Sequence, residues 1–469
     1  MLRAAGAAIG VAALIAAAVM TGSASDARSR IGEVGTTDAP SVRATEDFLF
    51  QLQDMDAQLL NALLVNGDQS VRVPRPTSEG LYDRDRQAAD GDLQAATAAL
   101  AGDRDALNQL HAVVDAFGRY QAQAVRTLDA DEREGGTVAG GAPATVIADY
   151  LDGHAILFGG DGQGGLMQAA TTLEARSAQA IDDSGSAAEG SLDWTTAGFV
   201  LFGLGLLSAL AALQSFLFLR FHRGMNPAVA AATLVALILA VGGAASAGSA
   251  AADFHTAQSD AFDSVLALGH ARAVSSGMNA DESRWLLVHD QPDQRARFER
   301  SFQTGEQQIV GLPGTDPTAY SDTLDRVVKN TETPDLPSAL SAGSAFGTEF
   351  RNITFDGELQ KADTAFANYD VYIQDDTHLR SMALATPGEL KAAIDFDTNA
   401  DSPGSSDRAF NDYAEALDDL IQLNQDRFDS SMPAARAGIA TWTWLPWLLA
   451  VFVIGLTLLG LRPRLAEYR

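Results

Sequence analysis

Residues 195–219 read TTAGFVLFGLGLLSALAALQSFLFL, residues 220–227 read RFHRGMNP, and residues 228–252 read AVAAATLVALILAVGGAASAGSAAA. Two stretches without Asp, Glu, Lys or Arg thus flank a short basic turn. A helix of about 20 residues crosses the hydrocarbon of a bilayer, so each stretch is long enough to span it with tilt to spare. The turn carries Arg220 and Arg223 with His222 between them and no acid. Basic residues accumulate in cytoplasmic loops, which puts this turn inside.

Working outward, residues 437–461 form another uncharged stretch, and the tail 462–469 holds Arg462, Arg464 and Arg469 against Glu467, with Tyr468 beside it. At the other end, residues 4–22 are Ala-rich and follow Arg3. Their length fits a retained span. The small-residue run Gly22-Ser23-Ala24-Ser25 also fits a secretory signal peptide. The expected layout is cytoplasmic 1–3, first span 4–22, outer segment 23–194, second span 195–219 and cytoplasmic loop 220–227. The third span 228–252, outer segment 253–436, fourth span 437–461 and cytoplasmic tail 462–469 complete it. Trp194, Trp442, Trp444 and Trp447 fall at the outer boundary, where indole rings favour the headgroup layer.

The fold class this implies is an all-α membrane protein with four transmembrane helices and two extracellular helical-bundle domains. Most of the chain is extracellular on this reading. With so little of it inside, any signal has to pass to a separate cytosolic partner. The formal net charge is -29 and the inner scraps are basic, so the outer segments are more acidic still. That argues against a nucleic-acid partner and against adhesion to anionic lipid, although an acidic surface also serves solubility. There is no cysteine, so disulfides, thiol redox chemistry and Cys-based metal sites are excluded.

Outside the spans, apolar residues recur at helical spacing. In 42–65 they are Phe48, Leu52, Met55, Leu59, Leu63 and Val65. Helices are expected at 86–100, 105–128 and 166–183 in the first segment. In the second they are expected at 254–289, emerging unbroken from the third span and stopped by Pro292, then at 293–310, 317–328, 348–384, 387–394 and 407–430. The segments resemble each other. Met55-Asp56-Ala57 with Leu63-Leu64-Val65 matches Met278-Asn279-Ala280 with Leu286-Leu287-Val288 at the same spacing, and Phe117-x-x-Tyr120 matches Phe366-x-x-Tyr369. A duplicated unit of span, bundle and span accounts for this order.

Chemical motifs are few. Gly160-x-Gly162-x-x-Gly165 fits a dinucleotide pattern, but the helix after it runs toward a span rather than into a βαβ unit, so a flexible loop is expected. None of the seven histidines is paired with another at metal-ligand spacing, so neither metal nor cofactor is expected. No hydrolase or metalloprotease motif occurs, and the chain is expected not to be an enzyme. The patch that invites a ligand is Asn279, Asp281, Glu282 and Arg284, with Tyr369 and Asp370 on a partner helix. A carboxylate for an ammonium and an Arg for a carboxylate are what an amino acid needs. The competing reading is a capped, solvated helix end with Trp285 in the core.

The span–bundle–span layout resembles the four-helix-bundle sensor domains of bacterial chemoreceptors and sensor kinases. More closely, the whole layout, with Met278-Asn279-Ala280-Asp281-Glu282-Ser283-Arg284-Trp285-Leu286-Leu287 as the best local match, resembles the GlnX family of actinobacterial four-span membrane proteins. The resemblance implies a relay. An extracellular amino-acid-binding lipoprotein, GlnH, senses aspartate or glutamate, and a cytosolic Ser/Thr protein kinase, protein kinase G, receives the signal. Cytoplasmic output would then fall to Arg220, His222, Arg223, Arg462, Arg464 and Tyr468, unless these arginines only anchor the topology. A homodimer is expected by analogy with bundle sensors. The alternative is an accessory or scaffold subunit of a transport or export system. The spans argue against a transport path, since they lack midplane charge, while Gly198, Gly203, Gly205, Gly242 and Gly243 allow close helix packing.

Overall fold

A computed structural model describes residues 2–101, 104–134, 136–160, 163–221, 226–313, 316–331, 335–385 and 389–466. It is all-α, with four helical stretches long and apolar enough to cross a membrane. In chain order the helices are α1 Leu2–Glu33, α2 Ala39–Val65, α3 Arg75–Ala99, α4 Arg104–Glu134, α5 Ala144–Phe158 and α6 Leu166–Phe221. Then come α7 Pro227–His255, α8 Asp263–Leu287, α9 Pro292–Ile309, α10 Pro317–Asn330, α11 Leu336–Ala339 and α12 Ala345–Asn352. The last four are α13 Glu358–Ala385, α14 Leu390–Asp397, α15 Ser406–Ala440 and α16 Leu445–Ala466. Wider π-helical turns, Val34–Asp38 and Thr256–Phe262, join α1 to α2 and α7 to α8.

The chain divides into two compact units. One comprises Met1–Asp38, Ala180–Ser259 and Arg427–Arg469; the other comprises Ala39–Gln179 and Asp260–Asp426. The first unit holds the apolar stretches. Ile9, Ala13 and Ala17 of α1 pack with Leu206, Leu210 and Leu213 of α6, Val229, Ala232 and Ala236 of α7, and Ala450 and Val453 of α16. Leu14, Leu201, Phe218, Leu237, Val451 and Leu459 lie exposed on the same unit. So large an apolar surface is a liability in water and is what a bilayer-facing helix presents. Of the glycines expected to let these helices close up, Gly203 and Gly243 do so, and Gly242 lies against the Trp442 ring. A Cβ on Gly203 would lie 2.3 Å from Ala240 Cβ, and one on Gly243 would lie 2.1 Å from Phe199 Cδ1. Gly198 and Gly205 face open space. Trp194, Trp444 and Trp447 are exposed, as a belt requires, but Trp442 is buried and packs edge-on against Phe199 at 5.0 Å.

In the second unit the two outer segments share one body. Around α2 lies a core drawn from α3, α4, α5 and the start of α6; a second core is drawn from α9, α10, α12, α13 and α15. Helix α8 contributes to both, Trp285 and Leu286 to the first and Leu268 and Met278 to the second, and it packs along α2. Residues 275–288 are buried without interruption. A helix enclosed on all sides needs no amphipathic stripe, which is why its pattern is weak.

Several helix ends differ from the sequence pattern. Pro292 does not stop the helix before it: α8 ends at Leu287, and Pro292 opens α9, where its missing N–H costs nothing. Pro76 likewise sits in the first turn of α3, which begins at Arg75 rather than at 86. The single helix expected at 348–384 is two, α12 and α13. Between them Gly357 takes φ +87°, and the Glu358 carboxylate accepts the backbone N–H groups of Thr354 and Phe355 at 2.7 and 2.9 Å. The stretch 437–461 is broken by a tight turn at Thr441–Thr443. Ile156-Leu157-Phe158, just before the glycine pattern, closes helix α5. Beyond it, Gly159–Gly160 pairs antiparallel with Gln163–Gly164. No βαβ unit surrounds that glycine pattern, whose residue Gly162 lies outside the described residues.

Candidate buried charge site

Helix α8 carries the sequence patch into the middle of the second unit. Arg284 is 1 % exposed. Its Nη2 donates to Asp56 Oδ2 of α2 at 2.6 Å, and its Nε donates to Tyr150 Oη of α5 at 3.0 Å. Its Nη1 pairs with Asp281 one turn back on α8. Tyr150 Oη in turn donates to Asp56 Oδ2, and Tyr120 Oη of α4 donates to Asp56 Oδ1, both at 2.9 Å. One guanidinium therefore ties four helices together through carboxylates and phenols. Its flat face lies 4.9 Å from the Phe158 ring centre. His154 packs beside it, 4.6 Å from Phe158 and 5.4 Å from Phe298. Burial, and next the Arg284 charge, push the His154 pKa down to about 3, so it stays neutral. Asp281 is pushed upward by burial, which Arg284 opposes.

A pit of about 240 Å³ opens over this network, with Asp281 and Arg284 in its floor. Its walls include Gln53, Met278 and Phe158, and its rim includes Ser301, Thr304 and Gln308. Gln53 Oε1 is buried without a hydrogen-bond partner among the described residues. Gly305 allows α9 this close, since a Cβ there would meet Met278 Cγ at 2.5 Å. The pit has the volume and the polar lining for a small polar molecule. Arg284 spends its donors inside the protein, so an incoming carboxylate would compete with Asp281 for Nη1.

Glu282 points elsewhere, into a second buried cluster. Ser406 Oγ donates to both its carboxyl oxygens at 3.2 Å. Burial, then the nearby Asp376 and Asp397, push its pKa well up, against Arg380. Arg380 Nε donates to Asp376 Oδ2 at 2.8 Å, and its Nη2 lies 2.7 Å from Oδ1. The Arg380 guanidinium sits 4.9 Å from the Phe302 ring centre and 5.2 Å from that of Trp285. Ser283 Oγ donates to Asp397 Oδ2 at 2.9 Å, and burial pushes Asp397 up to about 8. Glu306 adjoins the cluster and rises to about 9 through burial and then the Asp376 charge. A cluster with more carboxyls than cations in a dry site holds protons instead of charge.

The structure thus brings together Asp281 and Arg284 of the expected patch and separates the rest. Asn279 is buried on α8. Tyr369 lies in an aromatic group, 5.2 Å from Tyr413 and 6.4 Å from Tyr372, and Asp370 accepts from Gln374 at 2.8 Å. The patch is not a solvated helix end, because α2 and α9 cover it. Asp56, Tyr120, Tyr150, Asp376 and Arg380 belong to these networks and escaped the sequence reading. Asp56 and Tyr120 stood in the two internal matches, as polar groups on otherwise apolar faces, and that was their signal. Among the proposed output residues, Arg220 and Arg462 are exposed. Arg464 lies on α16 with its side chain outside the description, and His222, Arg223 and Tyr468 lie outside the described residues. Among the described residues no group of three or more His, Asp or Glu could hold a metal ion.

Residues 30–186 match the family model described as the actinobacterial sensor domain. The matched region takes in α2 to α5 and so includes Asp56, Tyr120 and Tyr150. No curated protein and no solved structure shows significant similarity to the chain. The sensor-domain match and the four apolar helices fit an actinobacterial sensor membrane protein.

Proposed function

We propose that this protein is a transmembrane signal relay with no catalytic activity of its own, its bulk extracellular. It would report amino-acid availability, aspartate or glutamate, to a cytosolic Ser/Thr protein kinase. The observation that carries the reading is the sensor-domain match over residues 30–186 in a chain with four helices able to span a membrane. The amino acid would act either directly at the pit over Asp281 and Arg284 or through a binding lipoprotein docked outside. The buried network supports a switch, because a ligand shifts an equilibrium only through an element with two discrete packings. Exchange of Asp281 for a ligand carboxylate at Arg284 Nη1 would give such an element. The inner readout would be Arg220, His222, Arg223 and the tail from Arg462 to Tyr468.

Mild crosslinking in native membranes, affinity purification and mass spectrometry test the relay. Recovery of a solute-binding lipoprotein together with a Ser/Thr kinase supports it. Recovery of transporter subunits would favour the scaffold alternative and overturn it. Aspartate titrated against the purified chain separates the two input routes. A dose-dependent rise in melting temperature means direct binding, and no change in the absence of the lipoprotein means indirect sensing.

A further inference from the structure

The first unit contains a second cavity that the sensing site does not use. A groove of about 520 Å³ runs between the end of α1 with its π-helical turn and the stretch of α15 around Pro433. Its lining alternates apolar groups, among them Ile31, Met432 and Ala440, with Arg28 and Arg436. Small residues on the α1 side leave the space. A Cβ on Gly32 would sit 3.4 Å from Arg436 Cζ, and one on Gly35 would sit 3.6 Å from Met432 Cγ. Both arginines are exposed, and neither has a hydrogen-bond or ion-pair partner among the described residues. Asp429 also borders the groove, so its charged lining is two cations to one anion. In a chain of net charge -29, two unpaired guanidinium groups in one groove are a departure that asks for an anion.

Their position says which anion. Arg436 immediately precedes the uncharged stretch 437–461. Arg28 lies roughly 9 Å past Gly22, the end of the first apolar stretch, at 1.5 Å per helical residue. The headgroup layer extends about 5–7 Å beyond the hydrocarbon, and long Arg side chains reach back toward it. An anion held here has its phosphate beside the arginines, with Ala437 and Ala440 on the side toward the fourth span and Ile31 and Met432 on the outer side.

We propose that this groove binds one anionic phospholipid, with Arg28 and Arg436 on the phosphate, Ala437 and Ala440 against the glycerol and upper acyl chain, and Ile31 and Met432 closing the outer end of the groove. Guanidinium groups suit phosphate because they donate in pairs. The test uses the full-length chain purified in mixed micelles of dioleoyl phosphatidylglycerol and dioleoyl phosphatidylcholine. Native mass spectrometry should show one retained phosphatidylglycerol in preference to phosphatidylcholine. Retention should fall roughly tenfold in the Arg28→Gln/Arg436→Gln variant and recover in part with Lys at both positions. A photoactivatable phosphatidylglycerol should label peptides covering residues 28–36 or 428–440 of the unaltered protein, which decides the matter even if a variant fails to fold. Equal retention of both lipids, undiminished retention in the Gln variant, or labelling only elsewhere overturns the proposal. So does displacement of the lipid by millimolar inorganic phosphate, which would make the groove a site for free anions.

Discussion

At the scale of the residue, Arg284 decides most. A buried guanidinium is tolerable only because Asp56, Asp281 and Tyr150 surround it. Removing it leaves two buried carboxylates without their cation, which costs about 3–5 kcal/mol. Arg284→Gln should therefore lower the melting temperature sharply, whereas a conservative change at exposed Arg220 should not. Glu306 makes a prediction about pH. Its folded pKa of about 9 lies above its value in an unfolded chain, near 4.3. At low pH both states hold the proton. As pH rises, the unfolded chain gives it up first, so stability falls across the window and the loss is complete near the folded value. Asp397, raised to about 8, acts in the same direction. Melting temperature should thus decline between pH 5 and pH 9. Glu306→Gln should flatten that decline and raise the melting temperature at pH 8 relative to the unaltered chain. A profile that is flat, or that rises with pH, would show that these carboxyls titrate normally.

At the scale of the element, close helix approach rather than propensity sets the packing. Gly203 of α6 lies against Ala240 of α7, where a Cβ would come within 2.3 Å of a neighbouring Cβ, whereas Gly205 meets nothing within 4 Å. Gly203→Val should destabilise the protein by about 1–3 kcal/mol through overpacking, and Gly205→Val should be nearly neutral. Thermal melts of the two variants in the same detergent test this contrast; equal effects would mean that α6 and α7 do not pack at Gly203. The sequence showed the apolar stretches and most helices of the outer segments. It misplaced ends where proline opens a helix instead of closing one, at Pro292 and Pro76, and where one carboxylate, Glu358, caps a break. Proline and glycine mark a boundary without saying which side of it they belong to.

At the scale of the whole molecule, the absence of cysteine makes topology measurable. Single cysteines at Gln69 and Asp401, both exposed in the second unit, should react with an impermeant maleimide on intact cells. Cysteines at Arg220 and Arg462 should react only after permeabilisation. The reverse pattern would turn the chain over and remove the sensing reading. The sequence by itself determined the four apolar stretches, the basic turn at Arg220 and the helical character of what lies between. Those follow from composition and period, which need no knowledge of neighbours. Asp281 and Arg284, three residues apart, also had to lie on one face of a helix. Tertiary structure alone decided that Asp56 and Arg284, 228 positions apart, form one ion pair, and that Glu282 faces Asp376 and Ser406 instead. It also decided that α8 is enclosed by two cores. The physical reason is burial. A charged residue in a sequence looks solvated until packing removes the water, and only packing shows which distant side chain has replaced it.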